Sequence, residues 1–572
     1  MDIVNDKKLR KNIIQWYPID KEKEILQIGY IEPGIISELC NKAKKVTIFV
    51  SNEDEKNKIN ISIENLKVEI IKNFEDESNY QYKYDYVTLI GTLESLENII
   101  EKKAYRRLEK LLKIAKQSCK DDGKIILVVD NKYGMKSWTT LKADRNIICN
   151  QTYAISKKLI NKLLEEQELN KYKYYYILPD YKGANAIFTD NYMPDLESIN
   201  RNFMYGEEKF ENFNQTEAYI ELLKEDSQSF TFFANSFFVE IGKHKLEENG
   251  IKFVSYTNIR KEKYKIQTII YNDRVEKTYD NEESKKHIIN IGKNIEIMNN
   301  NQIKTLDKYE NGKIISRYIE NSPSYDKVLV NLLQNMKNDE FFDSIQKYKM
   351  DLLSKLEETG IEQIKNNNIF DKYNINYSDE IIKKMHFVKY GLWDLIFHNA
   401  FYIDNKLYFY DQEWFEYNIP IEFIIYRSIA YFPIAHAFIK TEELYKRLEL
   451  EQYLDIFKEL DAKLQEEIRD EEIWKQHLRT QTGQTLLNLY QNLIDEFDRY
   501  RKEYNQSIID EKQRVIEQRN TELTNKNVEL ENKINELNDK INKIYNSTSW
   551  KITGPMRWVK KNINVKKIGG KQ

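Results

Sequence analysis

The chain has 572 residues, room for about three or four domains at roughly 150 residues each. Its 41% hydrophobic content is enough for large cores, and a net charge of −3 supplies no global attraction to nucleic acid. Its three cysteines, Cys40, Cys119 and Cys149, form no CxxC and no Cys/His cluster, which excludes a disulfide framework and a structural zinc site as organising features. The polar start MDIVNDKKLRKN has no apolar signal core, and no run of about 18 apolar residues occurs. The expected location is cytoplasmic, with a peripheral contact at the inner face of a membrane left open.

In chain order, EILQIG (24–29) reads as a strand ending in Gly29, GIISELCNKA (34–43) as a helix, and KVTIFVS (45–51) as a second strand. YDYVTLIG (84–91) reads as a buried strand and AYRRLEKLLKIAKQSC (104–119) as an amphipathic helix. DDG then turns the chain into KIILVVDN (124–131), another buried strand. Strands alternating with helices predict an α/β, Rossmann-like, doubly wound parallel sheet over residues 1–200. Ligands of such sheets lie at the carboxyl ends of the strands.

From 228 the character changes. FFANSFFVEIG, GIKFVSYTNIR, YKIQTIIYN and RVEKTY read as strands, EESKKHIINIGKNIEIMNNN as a helix, and IISRYIEN (314–321) as a closing strand. A mainly helical segment, 321–505, follows this small lobe, 228–320. Between 509 and 544 the period is seven: Ile509, Ile516, Leu523, Leu530, Leu537 and Ile544 form one row, with Gln513, Asn520, Asn527, Ile534 and Ile541 as the other. This a/d seam predicts a coiled coil over 506–545. The tail 546–572 holds seven Lys or Arg in its 551–572 stretch and no acid there, interleaved with Trp550, Met556 and Trp558. That composition suits an anionic membrane surface, although Gly554 and Pro555 weaken any helix and a solvated tail is the alternative.

The segment WDLIFHN (393–399) places Asn399 five residues after Asp394, and DQEW places Asp411 twelve residues further on. Phosphoryl transfer needs a carboxylate to orient the attacking hydroxyl, oxygen ligands for Mg²⁺ and a cation on the phosphates. Asp394-Leu395-Ile396-Phe397-His398-Asn399 fits the D-L-x-x-x-N pattern of kinase catalytic loops. FYI, a DN turn and LYFY between them predict a hairpin leading to Asp411.

This stretch resembles the aminoglycoside and choline phosphotransferase branch of kinase-like folds, in which H-G-D-x-x-x-x-N precedes an I-D-W-E metal site. The usual His before the Asp is replaced by Gly391 or Leu392. The resemblance implies Asp394 as catalytic base, Asn399 and Asp411 as Mg²⁺ ligands, and Lys277 as the strand lysine on ATP phosphates. It implies Glu282 or Glu283 as the partner of Lys277, and Tyr318 to Glu320 beside the adenine. The glycine-rich phosphate loop of that family is absent from SYTNIRKEKY.

ILQIG, YDYVTLIGTLE and DDGKIILVVDNKYG resemble class I S-adenosylmethionine-dependent methyltransferases, which implies S-adenosylmethionine held near Gly29 and Gly34. The first loop, Gly29-Tyr30-Ile31-Glu32-Pro33-Gly34, departs from G-x-G-x-G, and the second strand ends Val50-Ser51-Asn52 with acids only at Glu53 and Asp54. Side chains of Ile31 and Pro33 are expected to crowd the cofactor. The layout as a whole resembles bifunctional kinase–methyltransferases that terminate O-antigen chains. It implies a glycan or lipid-linked sugar acceptor, and self-association or a glycosyltransferase partner through the coiled coil. Two alternatives stand beside it: a non-catalytic scaffold for glycosyltransferases at the membrane, and a methyltransferase with an inactive kinase-like domain.

Overall fold

The computed structural model describes residues 7–59, 61–80, 82–97, 99–138, 153–195, 199, 215–320, 322–364, 367–404, 406–478, 486–557 and 560. The chain divides into two compact units, Met1–Thr480 and Gln481–Gln572.

In the first unit, β1 (Glu24–Ile28), β2 (Lys45–Val50), β3 (Leu66–Ile70), β4 (Tyr84–Ile90) and β5 (Cys119–Asp130) pair in parallel in the order β3-β2-β1-β4-β5. The central strands β1 and β4 are buried along almost their whole length and mostly apolar, as in a sheet covered by helices on both faces. Helix α1 (Pro33–Lys42) buries Ile35, Ile36 and Leu39, and α2 (Ala104–Ser118) buries Leu108, Leu111, Leu112 and Ala115. The predicted DDG turn is instead part of β5. Tyr84 pairs with Cys119 and Tyr86 with Lys124, so the intervening residues bulge outward with Asp121 and Asp122 exposed.

The sheet does not stop there. β6 (Lys171–Leu178) and β7 (Ala186–Thr189) form an antiparallel pair, and β8 (Ser236–Gly242) lies between β5 and β6, antiparallel to both. This corrects the boundary at 228, which assigned β8 to the small lobe. All seven residues of β8 are buried, so the run SFFVEIG reads as a strand covered on both faces rather than one in a half-exposed small sheet. The order β3-β2-β1-β4-β5-β8-β6 is consistent with the methyltransferase fold.

A second joint also departs from separate domains. Ala186, Ile187 and Phe188 of β7 pair antiparallel with Ser255, Val254 and Phe253 of β9 (Ile251–Tyr256). β9 then leads into β10 (Ile266–Tyr271), β11 (Arg274–Tyr279), β13 (Lys313–Arg317) and β12 (Asp307–Glu310), giving one mixed sheet of thirteen strands. Helix α3 (Lys285–Asn300) packs Ile288, Ile291 and Ile295 against Ile266 and Ile314 of this antiparallel half.

The segment that follows is largely helical and has its own apolar core. Two hairpin-like ladders interrupt it: β14 (Phe387–Gly391) with β17 (Glu416–Pro420), and β15 (Ala400–Ile403) with β16 (Lys406–Phe409). The second ladder is the hairpin expected between Asn399 and Asp411.

The second unit contains one long helix, α4 (Leu486–Asn546), and a short helix, Thr548–Ile552. Of the tail, Trp558, Val559 and 561–572 lie outside the described residues. Among the described residues no helix is long and apolar enough to cross a membrane.

Candidate functional sites

The first candidate site is the crevice at the carboxyl ends of β1, β4 and β5. Gly29 ends β1 with φ +84°, a left-handed conformation that disfavours any side chain, and a Cβ there would collide with Ser95 Oγ. Beneath it the buried Gln27 amide donates to the carbonyls of Ile28 (2.8 Å) and Gly29 (3.2 Å), and Thr92 Oγ1 donates to Ile28 O (2.6 Å). Gly34 is a residue of α1, within its first turn. Ile31 has its side chain buried in the apolar core with Ile35 and Ile36.

At the end of β2 the acid that folds back is Glu55, the residue after the Glu53 and Asp54 singled out by sequence. Its Oε2 accepts from Ser51 N (2.8 Å) and Ser51 Oγ (2.7 Å). Beyond β4 and β5, charged side chains pair with one another. Lys136 Nζ sits between Asp130 (3.0 Å) and Asp180 (3.1 Å), while Glu94 accepts from Tyr181 Oη (2.9 Å) and Lys182 Nζ (3.1 Å). Burial opposes the charge on Lys136, but Asp130 and then Asp180 outweigh it and raise its pKa. Glu32 Oε2 is a buried oxygen without a hydrogen-bond partner among the described residues.

The second candidate site forms around Asp411, directly after β16. Asp411 has φ +61°, a strained conformation of the kind retained at ligand clamps. Its backbone N–H donates to Asp307 Oδ2 (2.8 Å), and its carboxylate pairs with Lys277 Nζ from β11. Lys277 is also 3.5 Å from Glu413. The Asp394 carboxylate accepts from Arg427 (3.1 Å), whose guanidinium also pairs with Asp461 and lies 4.4 Å from the Trp393 ring centroid. The carbonyl of Asp394 accepts from Gln412 Nε2 (2.8 Å) and Asn399 Nδ2 (3.2 Å). Gln412 thereby ties the Asp394 loop to the Asp411 turn, and Asn399 is left its amide oxygen for a cation.

Lys277, Asp394, Asn399 and Asp411 lie around the same turn, linked through the Lys277–Asp411 pair and the Gln412 amide. Glu283 does not. It is exposed at the head of α3, and the carboxylates at Lys277 are Asp411 and Glu413 instead. The face of α3 that reaches the site lies deeper, at His287 and Asn294, two turns apart. His287 Nε2 is 3.2 Å from Glu413 Oε2, and Asn294 Nδ2 donates to Gln412 O (3.0 Å). Glu320 also stands outside the cluster, 65% exposed and paired with Lys252 of β9 (3.0 Å).

Sequence reasoning missed four further members: Arg260, Asp307, Glu413 and Arg427. Arg260 lies in the glycine-free connection between β9 and β10, pairs with Glu413, and stacks 5.3 Å from the Trp414 ring centroid. That connection is anchored to the helical segment by Lys261 N to Ile468 O (2.9 Å) and Asp470 N to Ile259 O (2.8 Å). Nothing local distinguishes Arg260 among the chain's 89 Lys and Arg, whereas Glu413 belongs to the DQEW motif itself.

The charges at this site are unevenly settled. Burial pushes the Asp394 carboxyl up to about 6 against the pull of Arg427, and burial likewise pushes Asp307 up to about 6. Asp411 is raised by burial with Lys277 opposing. Glu413 goes the other way: burial would raise it, but Arg260, then Lys277 and His287, hold it well below the usual carboxylate range. Among the described residues no three His, Cys, Asp or Glu side chains form a metal-holding group on their own. Asn399 and Asp411 supply two oxygen donors, which fits Mg²⁺ shared with phosphate oxygens rather than a protein cage.

No family model matches the chain, and no curated protein sequence matches it. Among solved structures, the similar ones include S-adenosylmethionine-dependent methyltransferases. One from Archaeoglobus fulgidus is 14% identical, with 41% of this chain and 92% of that chain covered and a TM-score of 0.27. A putative methyltransferase from Bacillus halodurans is 12% identical, covering 41% and 99%, TM-score 0.25. A possible histamine N-methyltransferase from Thermotoga maritima is 10% identical, covering 41% and 87%, TM-score 0.26.

Proposed function

We propose that the Asp411 site transfers the γ-phosphoryl group of ATP to a hydroxyl. The observation that carries this reading is the meeting of Lys277 and Asp411, 134 residues apart, beside an Asp394–Asn399 loop tied to the same turn through Gln412. Asp394 orients the acceptor hydroxyl and takes its proton as the oxygen bonds to the γ-phosphorus and the bond to the β–γ bridging oxygen breaks, releasing ADP. Asn399 and Asp411 are the residues that would hold Mg²⁺, which when bound would supply positive charge against the phosphates. Lys277 exchanges Asp411 for phosphate oxygens, and Arg260 stands as a second cation at the same mouth. The resemblance described above supplies the acceptor class, a sugar hydroxyl of a bacterial cell-surface glycan, reached at the inner face of the membrane. Calorimetry of ATP with and without Mg²⁺ tests the site. Metal-dependent binding that Asp411→Ala removes supports it; no binding by the unsubstituted chain refutes it.

A second reading concerns the β1–β8 half, as an S-adenosylmethionine-dependent methyltransferase. The unpartnered Glu32 carboxylate oxygen, three residues beyond Gly29, favours it, because the cofactor carries an ammonium group that such an oxygen can accept from. The cofactor supplies an electrophilic methyl group when bound, and Gly29 and Glu32 are the residues that would hold it. Binding of S-adenosylmethionine that Glu32→Gln weakens supports this reading; a flat titration of the unsubstituted chain removes it.

A further inference from the structure

The connection between β9 and β10, residues 257–265, carries Arg260 and has no glycine. Five of its backbone donors are already committed within the protein. Thr257 N donates to Ile266 O (3.2 Å), Arg260 N to Thr257 O (3.1 Å) and Lys261 N to Ile468 O (2.9 Å). Tyr264 N donates to Lys261 O (2.8 Å) and Lys265 N to Glu262 O (3.3 Å). With the return bond from Asp470 N to Ile259 O, Arg260 and Arg469 form a short antiparallel bridge to the helical segment. A loop that cradles phosphate does so with backbone N–H groups left open to the ligand. Here those five are spent, and the loop is fastened in place. What it still offers is a side chain.

The Arg260 guanidinium is set for that task. Its side chain is 22% exposed, against 12% for Lys277, so it is the more accessible of the two cations. Its partner Glu413 does not depend on it alone. Lys277 (3.5 Å) and His287 (3.2 Å) also hold that carboxylate, so Arg260 can turn to another anion without stranding a buried charge. Arg260 feels the charges of both Asp411 and Asp394. The phosphate that must lie near both a metal ligand and the base is the one being transferred. A guanidinium meets two phosphate oxygens at once with its planar fork, which an ammonium cannot do.

We propose that Arg260 is the phosphate clamp of this site, reading the terminal phosphate of ATP in place of backbone amides. The proposal rests on the phosphoryl-transfer reading above and adds to it the group by which the site tells ATP from ADP.

The test is a pair of titrations, Mg²⁺-ATP and Mg²⁺-ADP, into the full chain and its Arg260→Met variant. ATP affinity should fall by about ten- to a hundredfold, the usual worth of a hydrogen-bonded charge, and ADP affinity by less than about threefold. Arg260→Lys keeps a cation beside Glu413 but loses the fork, and should recover only part of the loss. Circular dichroism and melting check the fold of each variant. If Arg260→Met does not fold, Arg260→Lys carries the same comparison, with a smaller loss confined to ATP. Unchanged ATP affinity in the variants, while the unsubstituted chain binds ATP, overturns the clamp and leaves phosphoryl transfer standing. So does an equal loss for ATP and ADP, or full recovery by lysine. No ATP binding by the unsubstituted chain removes both readings together.

Discussion

The crevice above β1, β4 and β5 and the cluster around Asp411 treat charge in opposite ways. In the crevice Lys136 is matched by Asp130 and Asp180, and Ser51 binds Glu55, so most polar groups answer one another. Around Asp411, burial lifts Asp394 and Asp307 to about 6 while Glu413 is held far down by Arg260. Environments that push neighbouring carboxyls apart in pKa are those that enzymes use for proton transfer. One sheet thus carries a region whose charges are paired off and, attached to it, loops whose buried carboxyls are driven apart.

The largest expected effect on this contrast is from Asp394→Asn. It should lower phosphoryl transfer by about 10²–10⁴-fold, the usual worth of a positioned general base, and leave S-adenosylmethionine binding unchanged; steady-state rates and parallel titrations check both. Next comes pH. If Asp394 must be ionised, the rate should fall about tenfold per unit below about 6. Arg427→Met should move that fall to higher pH, because Arg427 is the main group opposing burial. Stability runs in the other sense. The folded pKa of Asp394 exceeds its ordinary value of 3.8, so the folded state holds the proton more tightly. The stabilisation from this group is complete below that ordinary value and is lost as pH rises through about 6.

A smaller effect is expected in the crevice. Gly29→Ala should cost more than about 1 kcal/mol, since φ +84° and Ser95 Oγ both oppose a Cβ, and thermal melting reads it directly. Smallest is Glu320→Ala. Its exposed pair with Lys252 should contribute about 0–1 kcal/mol, and ATP affinity should not change. A clear loss of ATP affinity would return Glu320 to the adenine side of the site.

Local pattern made much of this legible. The apolar runs of β1, β2 and β4 and the amphipathic α2 announced the parallel sheet, and the FYI–LYFY alternation announced the hairpin that delivers Asp411. β3, with no fully buried residue, and the four-residue β12, which carries Asp307, left little periodic signal. The placement of β8 was misread because a strand's pattern reports how buried it is, not which strands bury it. Arg260, Asp307 and Arg427 meet their partners across 153, 104 and 33 residues. Such encounters are made by topology and leave no mark in a window of sequence. The same limit explains Glu283: the helix was visible, but the depth at which its face meets the loop was not.

The three ladder pairs between β7 and β9 have a practical consequence for dissecting the protein. Cutting the chain between Gly242 and Ile251 would turn an interior seam into two raw sheet edges, with Ile187 and Phe188 on one and Phe253 and Val254 on the other. Unpaired edges bearing such side chains recruit other strands. Separately expressed halves should therefore aggregate or reassociate with each other in the tube, and loss of activity in either fragment would report that exposed edge before it reported on catalysis.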